Sequence, residues 1–178
     1  MPKDKYEPPN ERRQHRIMQR NEVAEGKQSR WSELEIFGFV QNLSGNLWKV
    51  EWLTVLYLDN NHLSHLPAQI GSLVHLEHLD ASHNFITVLP PEIGELVNLR
   101  ELKLASNRLR DLPYELGKCF QIQTLDLSNN PLSFDVSKYY TESSAKLLSA
   151  LMDSLHWLEV IIELRRARLR LGALAMLV

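Results

Sequence analysis

The sequence predicts an α/β solenoid: a short horseshoe of stacked coils, with a parallel sheet on its concave face and a helix over its C-terminal end. Three observations predict this fold. A pattern of leucine, asparagine, proline and glycine recurs every 23 residues, each unit contains a segment of alternating apolar and polar positions, and leucines at helical spacing follow the last unit. Because single coils bury their apolar side chains only against neighbouring coils, the repeats predict one continuous core.

The repeat keeps its phase through four consecutive units. Its strand position is filled by Leu56, Leu79, Leu102 and Leu125. Its asparagine position, which we call the asparagine ladder, is filled by Asn61, Asn84, Asn107 and Asn130. Written once, the unit is LxxLxLxxNxLxxLPxxIGxLxx, the leucine-rich-repeat signature, and the predicted fold is a leucine-rich-repeat solenoid.

Each position of the unit has a physical role. The LxL segment alternates with period two, as a strand does, and points its leucines into the coil. The asparagine carries both donor and acceptor groups, so it can satisfy turn backbone that no strand partner reaches. The PxxIG segment predicts about one helical turn on the convex side, with Gly71, Gly94 and Gly117 at left-handed helix ends.

Two residues depart from the unit. Ala81 stands where other units have leucine, and we expect Phe85 to fill part of the missing volume. Cys119 falls in the column of Leu73 and Leu96, which favours a buried small apolar side chain over a reactive thiol.

The repeat boundaries divide the first part of the chain. Residues 1–30 are polar and predict a loosely ordered N-terminal segment. Residues 31–135 predict the leucine-rich-repeat domain, with five units. The first unit, 31–52, lacks one residue at its turn and is interpreted as a degenerate N-terminal cap.

The repeat stops before the C-terminal part of the chain. Residues 136–164 predict a C-terminal capping helix region, with one helix that begins at Thr141 or Ser144 and ends at Leu164. Residues 165–178 are basic and then apolar, and predict a tail of uncertain order.

The charge is unevenly distributed along the chain. Residues 31–135 carry 6 basic and 13 acidic side chains, a net charge of −7, which disfavours direct binding of nucleic acid. Cys119 is the only cysteine, so a disulfide scaffold is excluded. The sequence contains no run of 18 apolar residues, so no membrane span is predicted, and the start of the chain has no apolar signal region.

The outward positions of the predicted strands form the candidate binding surface. They are mixed, somewhat acidic and include one exposed tyrosine, which suits a folded protein partner with basic or polar groups. The alternative interpretation is that these residues have no binding role, because any repeat array carries assorted polar residues at such positions. The candidate partner-binding residues are Glu35, Tyr57, Asp59, His78, Asp80, Glu101, Lys103 and Asp126.

No metal, cofactor or catalytic site is predicted. The histidines of the repeats occupy different positions of the unit and are not expected to converge on a metal. They are His62, His65, His75, His78 and His83. No nucleophile motif or phosphate-binding glycine loop is present.

Several non-repeat segments resemble one family. They are MPKDKYEPPNERR, EVAEGKQSRWSELEI, the cap that ends in NLW, and LPYELGKCFQIQTLDLSNNPLS. These resemble the carbon-catabolite-repression type poly(A) deadenylase, a catalytic subunit of the Ccr–Not mRNA decay complex. The similarity extends from Met1 to about Leu155.

The resemblance implies a function for the repeats. In that family they dock onto the Caf/Pop-type nuclease, which links them to the Not scaffold, while a separate magnesium-dependent domain hydrolyses poly(A). From His156 onward the chain no longer resembles the family. We therefore expect a non-catalytic docking module without magnesium, in the cytoplasm and nucleus. The alternatives are a fragment of the poly(A) exoribonuclease itself and a signalling scaffold with similar repeats.

Overall fold

The repeats form one parallel sheet of three-residue strands stacked in chain order. The computed structural model describes residues 32–175, without the side chains of Leu164 and residues 167–175. The strands are β1 (Glu33–Glu35), β2 (Val55–Tyr57), β3 (His78–Asp80), β4 (Glu101–Lys103) and β5 (Thr124–Asp126). The predicted leucine-rich-repeat solenoid is confirmed. The predictions for residues 1–30 and for the start of the cap at residue 31 lie outside the described residues.

The strand leucines stack on one another inside the coils. Leu34, Leu56, Leu79, Leu102 and Leu125 are register partners in successive strands. The residues on either side of them are half-buried or exposed on the sheet side, which we call the concave face. The opposite, convex side carries short 3-10 helices, at Leu47–Lys49, Ala68–Ser72, Pro91–Glu95 and Tyr114–Lys118.

The glycines of the convex helices have a different role from the one predicted. Gly71, Gly94 and Gly117 lie inside 3-10 helices, and none of them has a positive φ. Their role is to allow close packing. A Cβ at Gly94 would lie 2.8 Å from the Cβ of Glu115, and one at Gly117 would lie 2.5 Å from the backbone nitrogen of Met152. The left-handed expectation is therefore wrong at these positions.

Left-handed backbone occurs instead directly before each asparagine of the ladder. The residues there have φ between 54° and 56°, a conformation that asparagine and histidine tolerate better than most residues. They are Asn60, His83, Ser106 and Asn129. The turn that follows each of the strands β2 to β5 therefore includes this left-handed position.

Two helices follow the repeats, where one was predicted. α1 spans Phe134–Glu142, and α2 spans Ser144–Ala175 rather than ending at Leu164. α2 continues because no proline and only one glycine, Gly172, interrupt the residues after Leu164. The part of the predicted tail up to Ala175 is thus helical, and no helix among the described residues is long and apolar enough to cross a membrane.

The two helices close the last coil. In the middle of the array the N–H of Leu104 donates to the carbonyl of Asp126 in the next coil at 2.8 Å. Leu127, the equivalent residue of the last coil, donates instead to the Tyr140 hydroxyl of α1 at 3.0 Å. Four α2 leucines cover the apolar end of the core: Leu147, Leu148, Leu151 and Leu155.

The two departures from the repeat have different outcomes. Ala81 is fully buried, but Phe85 does not fill its layer, because the Phe85 side chain is 41% exposed and its ring faces His62. Cys119 is fully buried, as predicted, and lies 3.3 Å from the Ile93 carbonyl oxygen. Burial raises the pKa of the Cys119 thiol to about 11, so it is an inert core side chain at neutral pH.

Candidate protein-docking surface

The asparagine ladder fixes the loops that border the concave face. The Asn107 amide accepts a hydrogen bond from the Ile86 N–H at 3.0 Å and donates to the carbonyls of Ala81 at 2.9 Å and Leu104 at 3.0 Å. Asn61, Asn84 and Asn130 make the equivalent bonds in their own coils. Each amide therefore ties its own turn to the preceding coil, which makes the neighbouring surface rigid.

Seven of the eight candidate binding residues lie in two columns of the concave face. The strand register places His78 beside Glu101 in the first column. In the second column the register joins five residues that fill successive strands: Glu35, Tyr57, Asp80, Lys103 and Asp126. Asp59 lies beyond the end of β2, on the turn that leads to the ladder. The repeat phase thus predicted which side chains share a column.

A charged network occupies the middle of this face. His78 Nδ1 is 2.9 Å and Lys103 Nζ is 2.5 Å from different carboxylate oxygens of Glu101. The hydrogen bond from Lys103 holds the pKa of Glu101 below its ordinary value, although burial acts against this. The same bond raises the pKa of Lys103, with further contributions from Asp80 and Tyr57. The face is therefore a preorganised pattern of both charges.

Two candidate binding carboxylates also support the turns. Asp80 accepts a hydrogen bond from the Ser82 N–H at 3.0 Å, and Asp126 accepts one from the Ser128 N–H at 3.0 Å. This role was not predicted from the sequence, although an aspartate two residues before a serine at a strand end is a signal for such a turn. These bonds fix the positions of the two carboxylates on the face.

The network predicts a measurable pH dependence of stability. A carboxylate whose pKa is lowered by folding stabilises the protein above its unfolded-state pKa, and the stabilisation is lost as pH falls through the folded-state pKa. We expect Glu101→Gln to lose less free energy of unfolding than the unaltered chain between about pH 5 and about pH 3. Lys103→Met should reduce the same pH dependence, because Lys103 is the main cause of the shift. Urea unfolding at a series of pH values measures the free energy of unfolding as a function of pH. If Glu101→Gln and the unaltered chain show the same dependence on pH, the prediction is contradicted.

The histidines of the repeats have separate surroundings. His62 lies against two phenylalanine rings, His65 is 3.1 Å from the Ser64 hydroxyl, and His78 contacts Glu101. Among residues 32–175, no group of three or more histidine, cysteine or acidic side chains is placed to hold a metal ion.

Comparisons with known proteins identify the repeats. The family description "Leucine rich repeat" matches residues 75–132, and "Leucine Rich Repeat" matches residues 52–73. A solved leucine-rich-repeat protein of Leptospira interrogans superposes with a TM-score of 0.56 at 33% identity, over 60% of this chain and 27% of that chain. The family descriptions that match are leucine-rich repeats, and no nuclease domain is among them.

The curated relatives of this chain that we compare are subunits of one complex. Over 73 residues the chain is 52% identical to CCR4-NOT transcription complex subunit 6-like of Danio rerio. The aligned region is 41% of this chain and 13% of that protein. Over 53 residues it is 43% identical to the CCR4-Not complex 3'-5'-exoribonuclease subunit Ccr4 of Schizosaccharomyces pombe, covering 29% and 8% respectively. The repeat region is thus similar to that of Ccr4-type proteins, as the resemblance indicated, and the match spans only a small part of the length of these relatives.

Proposed function

We propose that this chain, whose repeats are of the Ccr4 type, is a non-catalytic docking module of the Ccr4–Not mRNA deadenylation complex. Its concave face binds the Caf/Pop-type nuclease subunit and, through that subunit, reaches the Not scaffold. The proposal rests on one observation above all: a rigid, charged and half-exposed concave face on repeats similar to those of the complex's own subunits. The module would work in the cytoplasm and nucleus, without a cofactor and without contacting nucleic acid or membrane.

The physical basis of docking is preorganisation. The strands and the asparagine ladder hold the face before the partner arrives, so little conformational entropy is lost on binding. Tyr57 supplies a half-buried aromatic side chain, and Asp80 and Lys103 supply opposite charges beside it. Such a pattern favours a partner surface of matching charges over a purely apolar one.

The proposal predicts the effect of two concave substitutions. Tyr57→Ala removes the aromatic contact and Asp80→Arg reverses a charge, and we expect each to weaken binding of the purified nuclease subunit by roughly tenfold or more. The measurement is pull-down, followed by titration with the same purified subunit. Thermal unfolding of each variant shows whether the fold is retained, because Asp80 also bonds to the Ser82 backbone.

Matched substitutions on the convex side provide the control. Phe120→Ala removes an aromatic ring that is 77% exposed beyond a convex helix, and Glu92→Arg reverses an exposed charge within another. Both should bind like the unaltered chain. Equal recovery of the nuclease with the concave and the convex variants would exclude the concave face as the docking surface.

A second candidate function is that the repeats form part of a poly(A)-specific exoribonuclease. It is favoured by the similarity to the Schizosaccharomyces pombe relative, which is an exoribonuclease subunit. The two candidates differ in one assay. Incubation of the purified chain with poly(A) and magnesium should leave the poly(A) unshortened if the chain only docks, and shorten it if the chain carries the activity.

A further inference from the structure

A second row of side chains runs along the loops beside the asparagine ladder. It consists of residues spaced by 23, which we call the edge row: Phe39, His62, Phe85 and Arg108. The last three directly follow a ladder asparagine. Phe39 has the equivalent place in the cap, because the next residue, Val40, donates to Asn61 as Leu63 donates to Asn84.

The side chains of the edge row stack on one another. The ring centroids of Phe39 and His62 are 5.1 Å apart, and those of His62 and Phe85 are 5.4 Å apart. The Arg108 guanidinium carbon lies 4.6 Å from the Phe85 ring centroid. The backbone N–H groups of His62, Phe85 and Arg108 each donate at 2.9 Å to a carbonyl of the preceding coil. The row is therefore held in place by its backbone as well as by its rings.

The rings of this row face solvent. Phe39 is 72% exposed and Phe85 is 41% exposed. Phe39 also has a φ of 61°, which is uncommon for a bulky residue, and follows Gly38 with a φ of 108°. Leaving apolar rings in water does not stabilise the fold, so packing alone does not account for their residue types.

The row also carries positive charge on an acidic domain. Arg108 and the nearby Arg110 are exposed, and neither forms an ion pair with a carboxylate of residues 32–175. They are two of the six basic side chains in residues 31–135, where the net charge is −7. Arginine beside aromatic rings is typical of protein interfaces, and within the described part of the chain no carboxylate pairs with this one.

We propose that the edge row is a second docking surface, distinct from the concave face, for an extended peptide segment that combines acidic and apolar residues. Apolar side chains of the peptide pack on Phe39 and Phe85, and its carboxylates pair with Arg108 and Arg110. Single-stranded RNA is disfavoured, because the adjoining concave face is acidic and would repel a phosphate backbone.

A random peptide library displayed on phage and selected against the purified chain tests the proposal. We expect the recovered peptides to share aspartate or glutamate beside aromatic or aliphatic residues. Their binding, measured by fluorescence anisotropy, should weaken at least about tenfold in Phe85→Ser and in Arg108→Glu. Phe120→Ser, which removes an exposed ring outside the row, should leave binding unchanged, and circular dichroism should show all three variants folded.

Three results would overturn the proposal. The first is that the library yields no peptide, or peptides that bind the edge-row variants as tightly as the unaltered chain. The second is that an adenine oligonucleotide binds the chain and that this binding is lost in Phe85→Ser and in Arg108→Glu, which would assign the row to RNA. The third is self-association in sedimentation that the same variants abolish, which would assign it to a second copy of the chain.

Discussion

Replacing Asn107 by alanine is expected to lower the free energy of unfolding by about 3 kcal/mol. The Asn107 amide is buried and bonds the Ile86 N–H and the Ala81 and Leu104 carbonyls at 2.9–3.0 Å. Alanine leaves these backbone groups without partners inside the solenoid, where water cannot replace the lost bonds. Urea unfolding followed by circular dichroism measures the change.

Asn98 provides the matched control for this experiment. Its amide donates one hydrogen bond, to the Val74 carbonyl at 2.8 Å, at an exposed site. Asn98→Ala should lower the free energy of unfolding by less than about 1 kcal/mol, because solvent can take over that bond. If the two alanine variants prove equally stable, the ladder does not hold the coils together as described.

Introducing a single methyl group at Gly117 is expected to destabilise the protein by about 3 kcal/mol. The added Cβ would lie 2.5 Å from the Met152 backbone nitrogen and 3.0 Å from the Leu148 carbonyl oxygen. These are backbone atoms of α2, so the strain is relieved only by moving the helix away from the last coil. Gly117→Ala should therefore also increase hydrogen exchange in α2, measured by mass spectrometry.

Other glycines give a graded comparison. At Gly71 the nearest atoms to an added Cβ lie at 3.0 Å, so Gly71→Ala should cost less than Gly117→Ala. At Gly45 nothing lies within 4 Å and φ is not positive, so Gly45→Ala should be neutral or slightly stabilising. A Gly117→Ala protein as stable as Gly45→Ala would contradict the close packing of α2 against the last coil.

The repeat phase was sufficient to predict the sheet and the columns of the concave face. Once Leu56, Leu79 and Leu102 share a strand position, their neighbours Tyr57, Asp80 and Lys103 must share the next one. The 23-residue period alone fixes this relation, because each coil stacks on the one before. The pairing of Lys103 with Glu101 was not predictable, since it depends on side-chain conformations within one strand.

The edge row and the glycine contacts were missed for different reasons. The edge row keeps the 23-residue period from Phe39 to Arg108, but the stacking of its side chains depends on their conformations, which the period does not fix. The role of Gly94 depends on the distance between successive convex helices, which the sequence does not contain. The use of Tyr140 to satisfy the last coil likewise depends on where α1 packs.

Carboxylate labelling of the chain, free and bound to the purified Caf/Pop-type nuclease, tests the central claim most directly. Water-soluble carbodiimide modifies exposed carboxylates, and mass spectrometry locates them. The account predicts that Asp80 and Asp126 on the concave face become protected in the complex, while Glu92 and Glu95 on the convex side stay reactive. Protection of the convex pair with unchanged labelling of Asp80 and Asp126 would contradict it.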